Sequence, residues 1–179
     1  MAKVFSASLS VESLNRLEKQ LLDYRDNYLP MKCKELTERL LQSGIEVSSA
    51  KVSESPLGKY VTLTTNLTPE HMGCKGILLA QGVVKESEDY APFSVLLAIE
   101  FGAGAYYNPT PNPKSEEFGY GVGTFPGQMH AREDMWFYWD EQEQEWKPTH
   151  GVKATMPMYY ADKKMIDTFV AIARDVFSR

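Results

Sequence analysis

Leu14, Leu17, Leu21, Leu22, Tyr24 and Tyr28 recur at spacings of three and four, the period of one face of an α-helix. Ser10 stands before Val11-Glu12-Ser13 as an N-cap, its hydroxyl placed to accept a first-turn amide. Pro30 interrupts the stripe; lacking an N–H and clashing with the preceding turn, it predicts a kink or an end near Tyr28. Leu36, Leu40 and Leu41 resume the stripe with Glu35, Glu38 and Arg39 outside it, and Gly44 offers a C-cap. The pattern predicts a helix over residues 11–43, bent or broken near Pro30.

The period then changes. Ile45 and Val47, and Tyr60-Val61-Thr62-Leu63-Thr64-Thr65, read as strands rich in β-branched residues. Gly76-Ile77-Leu78-Leu79-Ala80 and Phe93-Ser94-Val95-Leu96-Leu97-Ala98-Ile99 are denser and predict central strands covered on both faces. Glycine and proline crowd residues 102–127, which predicts a long loop of the kind that is usually functional. Met135 to Trp139 and Gln144 to Lys147 flank the polar Asp140-Glu141-Gln142-Glu143 and predict a hairpin. Met158, Ala161, Met165, Phe169, Ile172, Ala173 and Val176 return to the helical period and predict a last helix over 158–177. The expected architecture is α+β in a single domain over 1–179. It has a helical part (11–43), a mixed or antiparallel sheet (45–147) with the loop 102–127 and an aromatic hairpin, and a C-terminal helix packed on the sheet.

Composition narrows the function classes. A chain of 179 residues buries enough surface to fold without staples, and its two cysteines, Cys33 and Cys74, supply neither a disulfide framework nor a four-ligand zinc site. The longest apolar run, residues 93–99, is strand-sized rather than membrane-spanning, and MAKVFSASLS lacks the apolar core of a signal peptide. These features predict a protein made in a reducing cytoplasm. The net charge of −5 and the absence of any basic cluster longer than Lys163-Lys164, offset by Asp162 and Asp167, argue against binding free nucleic acid.

Few residues suggest catalysis. Gly119-Tyr120-Gly121-Val122-Gly123 is glycine-rich, but Thr124-Phe125-Pro126-Gly127 follows and opens no helix, so a phosphate-cradling loop is unsupported. His71, His130 and His150 show no metal-ligand spacing, although His130 and His150 flank the hairpin near Glu133 and Asp134. Cys74 suits a small apolar filler, and Ser94 lies outside any nucleophile-elbow pattern. Glu100, at the end of an apolar run, fits a general acid, a strand-end salt bridge or a carboxylate bonded to loop amides. The densest chemical signal is aromatic: Trp136, Tyr138, Trp139 and Trp146 include all three tryptophans. Alternation puts Trp136 and Tyr138 on one face of the strand and Phe137 and Trp139 on the other, so one set fills the core and the other marks a contact surface unless both are covered.

Ile99-Glu100-Phe101-Gly102-Ala103-Gly104, the glycine-rich stretch, Trp136-Phe137-Tyr138, Thr149-His150-Gly151 and Ala154-Thr155-Met156-Pro157-Met158-Tyr159-Tyr160-Ala161 before a final helix carry a resemblance. In this order and rough spacing, over residues 93–161, the chain resembles the tail-completion family of long-tailed bacteriophages, also called neck or minor tail components and found in prophages. That family shows a "VEFGTG"-like strand end, an aromatic "W-Y-Y" hairpin, a "T-x-G" turn and an "A-x-P-F-M" entry into the last helix. Here Met156-Pro157-Met158 stands where Arg-Pro-Phe-Met is usual, and the interval 106–128 is longer.

The resemblance implies a non-enzymatic virion protein of the tail or neck, assembled in the bacterial host cytoplasm and similar to ring-forming tail terminators. Its implied partners are itself, as a homohexameric ring, the tail tube protein, the head–tail connector or stopper protein, and a sheath protein if the tail is contractile. DNA passes through without specific binding, and no membrane, cofactor or metal is implied. A negative chain suits a channel through which DNA slides. The expected partner-binding residues are Phe101, Tyr106, Tyr107, Phe118, Phe125, Trp136, Tyr138, Trp139 and Trp146. Two alternatives stand beside this reading: a cell-wall hydrolase using Glu100 with His130 or His150, and a carbohydrate-binding module built on Trp136, Tyr138 and Trp146.

Overall fold

The computed structural model describes residues 4–71, 73–85, 93–104, 133–140 and 143–178. The chain is mixed α+β. Its elements run α1 (Val11–Asp23), a π-helical turn (Tyr24–Tyr28), α2 (Leu29–Ser53), a 3-10 turn (Gly58–Tyr60), β1 (Val61–Glu70), β2 (Gly73–Gly82), β3 (Val84–Lys85), β4 (Phe93–Ser94), α3 (Val95–Phe101), β5 (Trp136–Asp140), β6 (Glu145–Thr149) and α4 (Pro157–Ser178). Among the described residues the strands form three two-stranded ladders, β1–β2, β3–β4 and β5–β6. The chain divides into two compact units: Met1–Ile45, Thr65–Leu79 and Lys163–Arg179 in one, Glu46–Thr64 and Ala80–Asp162 in the other.

The first unit begins with the helix that the leucine stripe predicts. Ser10 Oγ accepts the Ser13 N–H at 3.2 Å and caps α1. Pro30 does not break the helix. The turn before it widens instead: the Leu29 N–H reaches the Tyr24 carbonyl, five residues back, so the proline ring meets a loosened turn rather than a tight i−4 carbonyl. No residue of α1 is buried. Further on, β2 lies close on α2, because a Cβ at Gly76 would come within 2.5 Å of Thr37 Cγ2. At Gly44, α2 meets α4, with Met165 Sδ only 2.8 Å from where a Cβ would stand. Arg39 Nη1 and Asp175 Oδ2 pair at 2.6 Å between the same two helices.

Gly44 therefore does not cap the helix, and Ile45 and Val47 are not a strand: both lie within α2, which continues to Ser53. The reason is visible in the buried positions Leu41, Gly44, Ser48 and Val52. They keep the helical spacing, but glycine and serine at the middle two carry no hydrophobic signal.

In the second unit the segment 93–99 is also not a central strand. Only Phe93 and Ser94 pair as β4, antiparallel to β3, and the chain then turns into α3. Ser94 Oγ accepts the Leu97 N–H at 3.4 Å as an N-cap, and Gly102, at φ 81°, ends the helix with its N–H on the Ala98 carbonyl. An apolar run of seven residues fits a buried helix as well as a strand, and here the capping residues decide. Val95, Ala98, Ile99 and Phe101 are buried, and Ala98 and Ala103 pack with Leu57, Phe93, Leu97 and Val152. The other dense segment, Gly76 to Ala80, belongs to β2 of a two-stranded ladder whose residues are half-buried or exposed, so it is not doubly covered.

Candidate functional site

The residues that carry the resemblance meet in the second unit, where α3 ends and α4 begins. Thr155 and Met156 both donate their N–H to the Ile99 carbonyl, at 2.9 and 3.3 Å. Met156 adopts φ 52°, a left-handed conformation rare for a side chain of this size, and is almost wholly buried. Pro157 then occupies the first position of α4, where its missing N–H costs nothing. The next two amides lack intrahelical acceptors, and methionine at position 156 has no oxygen to cap them. Glu100 supplies the cap from another element: Oε2 accepts from Met158 and Oε1 from Tyr159, each at 3.0 Å. A carboxylate there satisfies two amides and faces the positive end of the helix dipole. Of the uses open to Glu100 in the sequence (general acid, strand-end salt bridge or bond to amides), the structure places it in amide bonding, to the first turn of α4.

Past Gly102 the chain closes a short bridge. Ala103 and Val152 exchange N–H···O bonds of 2.8 and 2.9 Å. Gly104 and Gly151 flank the bridge at φ 89° and 98°. A Cβ on Gly151 would stand 1.9 Å from the Ala103 carbonyl oxygen, and one on Gly104 would stand 2.8 Å from the Trp136 ring. Both glycines are thus required twice, by backbone conformation and by close approach. Thr149 Oγ1 accepts the Gly151 N–H at 3.0 Å, and His150 Nδ1 bonds the Asp134 carbonyl at 2.8 Å.

Trp136 links this bridge to the hairpin. The register pairs Trp136 with Thr149, Phe137 with Pro148, Tyr138 with Lys147, Trp139 with Trp146 and Asp140 with Glu145. Side chains directly opposite share a face. One face therefore carries Trp136, Tyr138 and Lys147, and the other carries Phe137, Trp139, Trp146 and Pro148. This corrects the grouping of Trp136, Tyr138 and Trp146, because Trp146 lies across from Trp139 and on its face. The two indoles meet edge-to-face with centroids 5.6 Å apart. Phe137, Trp139 and Trp146 are 56, 41 and 65% exposed, whereas Trp136 is half-buried against the two glycines. The hairpin is anchored at its base and presents an open aromatic face.

On the opposite face, Lys147 Nζ lies 2.7 Å from Glu143, 3.1 Å from Asp140 and 3.8 Å from Glu145. The hydrogen bond it donates to Glu143, then that to Asp140, holds the ammonium pKa above the ordinary lysine value. The cluster keeps a net negative charge around the tip of the hairpin.

The other expected contact residues fall differently. Phe101 is 8% exposed and packs in the core, so it offers no open surface. Tyr138 is 42% exposed. Tyr106, Tyr107, Phe118 and Phe125 lie outside the described residues, as do most of the loop 102–127, His130 and the motif from Gly119 to Gly123. Among the described residues no group of three His, Cys, Asp or Glu side chains is placed to hold a metal ion. Spacing alone does not distinguish a core face from an open one, so nothing in the leucine pattern marks the α1 stripe as uncovered. No family model, no curated protein and no solved structure matches this chain.

Proposed function

We propose that this chain is a structural protein of the phage neck, which completes or terminates the tail and joins it to the head connector as a ring around the DNA channel. The observation that carries the reading is the hairpin, whose Phe137, Trp139 and Trp146 are exposed on a strand pair fixed at its base by Trp136. Aromatic residues on a rigid element are the side chains that dominate protein contacts, and a face of this kind stays open to solvent only at a cost. The resemblance over residues 93–161 adds the order of motifs.

The motif residues support a structural use over a catalytic one. Both oxygens of Glu100 hold the amides of α4, and His150 is bonded to a backbone carbonyl. On this reading the chain is no enzyme. Its partners are copies of itself in a homohexameric ring, the tail tube protein, the connector or stopper and, in a contractile tail, the sheath. It resides in the virion and needs no cofactor, and DNA slides past without specific binding.

Electron microscopy of particles made without the gene tests the reading. Filled heads detached from tails of abnormal length or with missing ends are the expected result. Normal, infectious particles would overturn it and would return Glu100 and the histidines to scrutiny as an active site.

A further inference from the structure

Leu14, Leu17, Leu21 and Leu22 line an open groove of about 310 Å³ along α1, together with Glu18 and Arg25. None of these residues is buried. Phe5 packs edge-on against Tyr24 at 5.4 Å, but Leu14, Leu21 and Leu22 remain 47, 45 and 40% exposed. A helix of this length draws its stability in water mostly from packing its apolar face, so this face calls for a cover.

The charges within the stripe identify the cover. Glu18 and Arg25 lie seven residues apart, two helical turns or about 10 Å along the axis. Glu18 makes no ion pair among the described residues, and Arg25 pairs with the neighbouring Asp26 at 2.6 and 3.0 Å in an exposed contact. Such a contact contributes little, and the guanidinium keeps further donors for a second carboxylate. A second copy of α1 and the π-helical turn after it, laid antiparallel on the first with a twofold axis beside Leu21 and Leu22, sets Glu18 of each copy against Arg25 of the other. The same axis brings Leu21 of one copy onto Leu22 of the other. A parallel copy would instead place Glu18 beside Glu18 and Arg25 beside Arg25.

We infer that α1 is a self-association surface, on which two copies of this chain pair antiparallel through the leucine stripe and two reciprocal Glu18–Arg25 contacts. The contact is isologous, so it closes at the dimer. It stands on α1 and the π-helical turn that follows it, and is independent of the proposed place in the neck, so each fails or survives without the other.

Sedimentation equilibrium of the full chain over a wide concentration range tests it, with circular dichroism to verify that every variant keeps its helix content. The wild type is expected to show a monomer–dimer equilibrium. E18R and R25E should each weaken it by about tenfold or more, because two attractions become repulsions. Mixing the two variants should restore association as a one-to-one heterodimer, since all four charges are then complementary. A wild type that stays monomeric, or charge reversals without effect on the dissociation constant, would overturn the inference. Species larger than a dimer that vanish on Phe169→Glu would also overturn it, because they would place α1 in the apolar groove of Leu40, Leu41, Met165, Ile166 and Phe169 on another copy.

Discussion

The carboxylate of Glu100 accepts the backbone N–H of Tyr159 at 3.0 Å, and so fastens the end of α3 to the first turn of α4 across 59 residues of sequence. With the Met158 bond, it caps a helix whose own N-terminal residue cannot. Glu100→Gln keeps the shape but sets an amide NH2 against one of two amide donors, which should lower stability by about 2 kcal/mol. Chemical denaturation measures this directly. A catalytic carboxylate behaves in the opposite way, since its neutralisation commonly leaves the fold as stable or more so. Unchanged or raised stability in the variant would speak against the capping role.

The hairpin carries tryptophans of two kinds. Trp136 packs on Gly104 and Gly151, so Trp136→Ala should cost about 2–3 kcal/mol through lost packing. Trp146 is 65% exposed, and Trp146→Ala should stay within about 0.5 kcal/mol of the wild type. Thermal unfolding of the two variants side by side checks the asymmetry. Equal losses would mean that both faces are packed.

Three glycines separate conformational from steric demands. Gly151→Ala meets both a φ of 98° and a carbonyl 1.9 Å from the new methyl, and should cost about 3 kcal/mol or more. Gly76→Ala meets the β-branched Thr37, which is stiff, and should be destabilising as well. Gly44→Ala meets the flexible end of Met165, and the helix propensity gained inside α2 offsets the contact, so little net change is expected. Urea midpoints in the order Gly44→Ala, Gly76→Ala, Gly151→Ala, from highest to lowest, are the predicted outcome.

Lys147 gives a pH prediction. Its pKa is raised by Glu143 and then Asp140, so its contribution is fully present below the ordinary lysine value and is lost only as the pH rises through the raised one. Tryptophan emission from the hairpin should therefore stay constant from neutral pH to about pH 10. A transition within that window would contradict the assignment of Lys147 to this cluster.

Much of the fold was legible because particular residues announce it. Ser10 caps α1, alternation through Trp136 to Trp139 marks the hairpin, and the spacing from Met158 to Val176 marks α4. What stayed hidden has physical causes. Ser48 and Gly44 sit at buried helical positions without being apolar, so the second half of α2 read as a turn and a strand. Residues 93–99 are apolar at nearly every position and show no period at all. The hairpin register, which moves Trp146 to the face of Trp139, depends on turn geometry that alternation does not determine. The use of Glu100 stays open in the sequence among an acid, a salt bridge and an amide cap, because the amides it serves lie in a distant element.

On the proposed function, the face of Phe137, Trp139 and Trp146 is a surface of assembly. The most direct measurement is incorporation of the double variant Trp139→Ala/Trp146→Ala into particles, read by electron microscopy and by protein content of purified virions, alongside its stability as isolated protein. The expected result is a folded variant of near wild-type stability that is missing from particles whose heads and tails stay apart. A variant that folds and is incorporated as well as the wild type would contradict it.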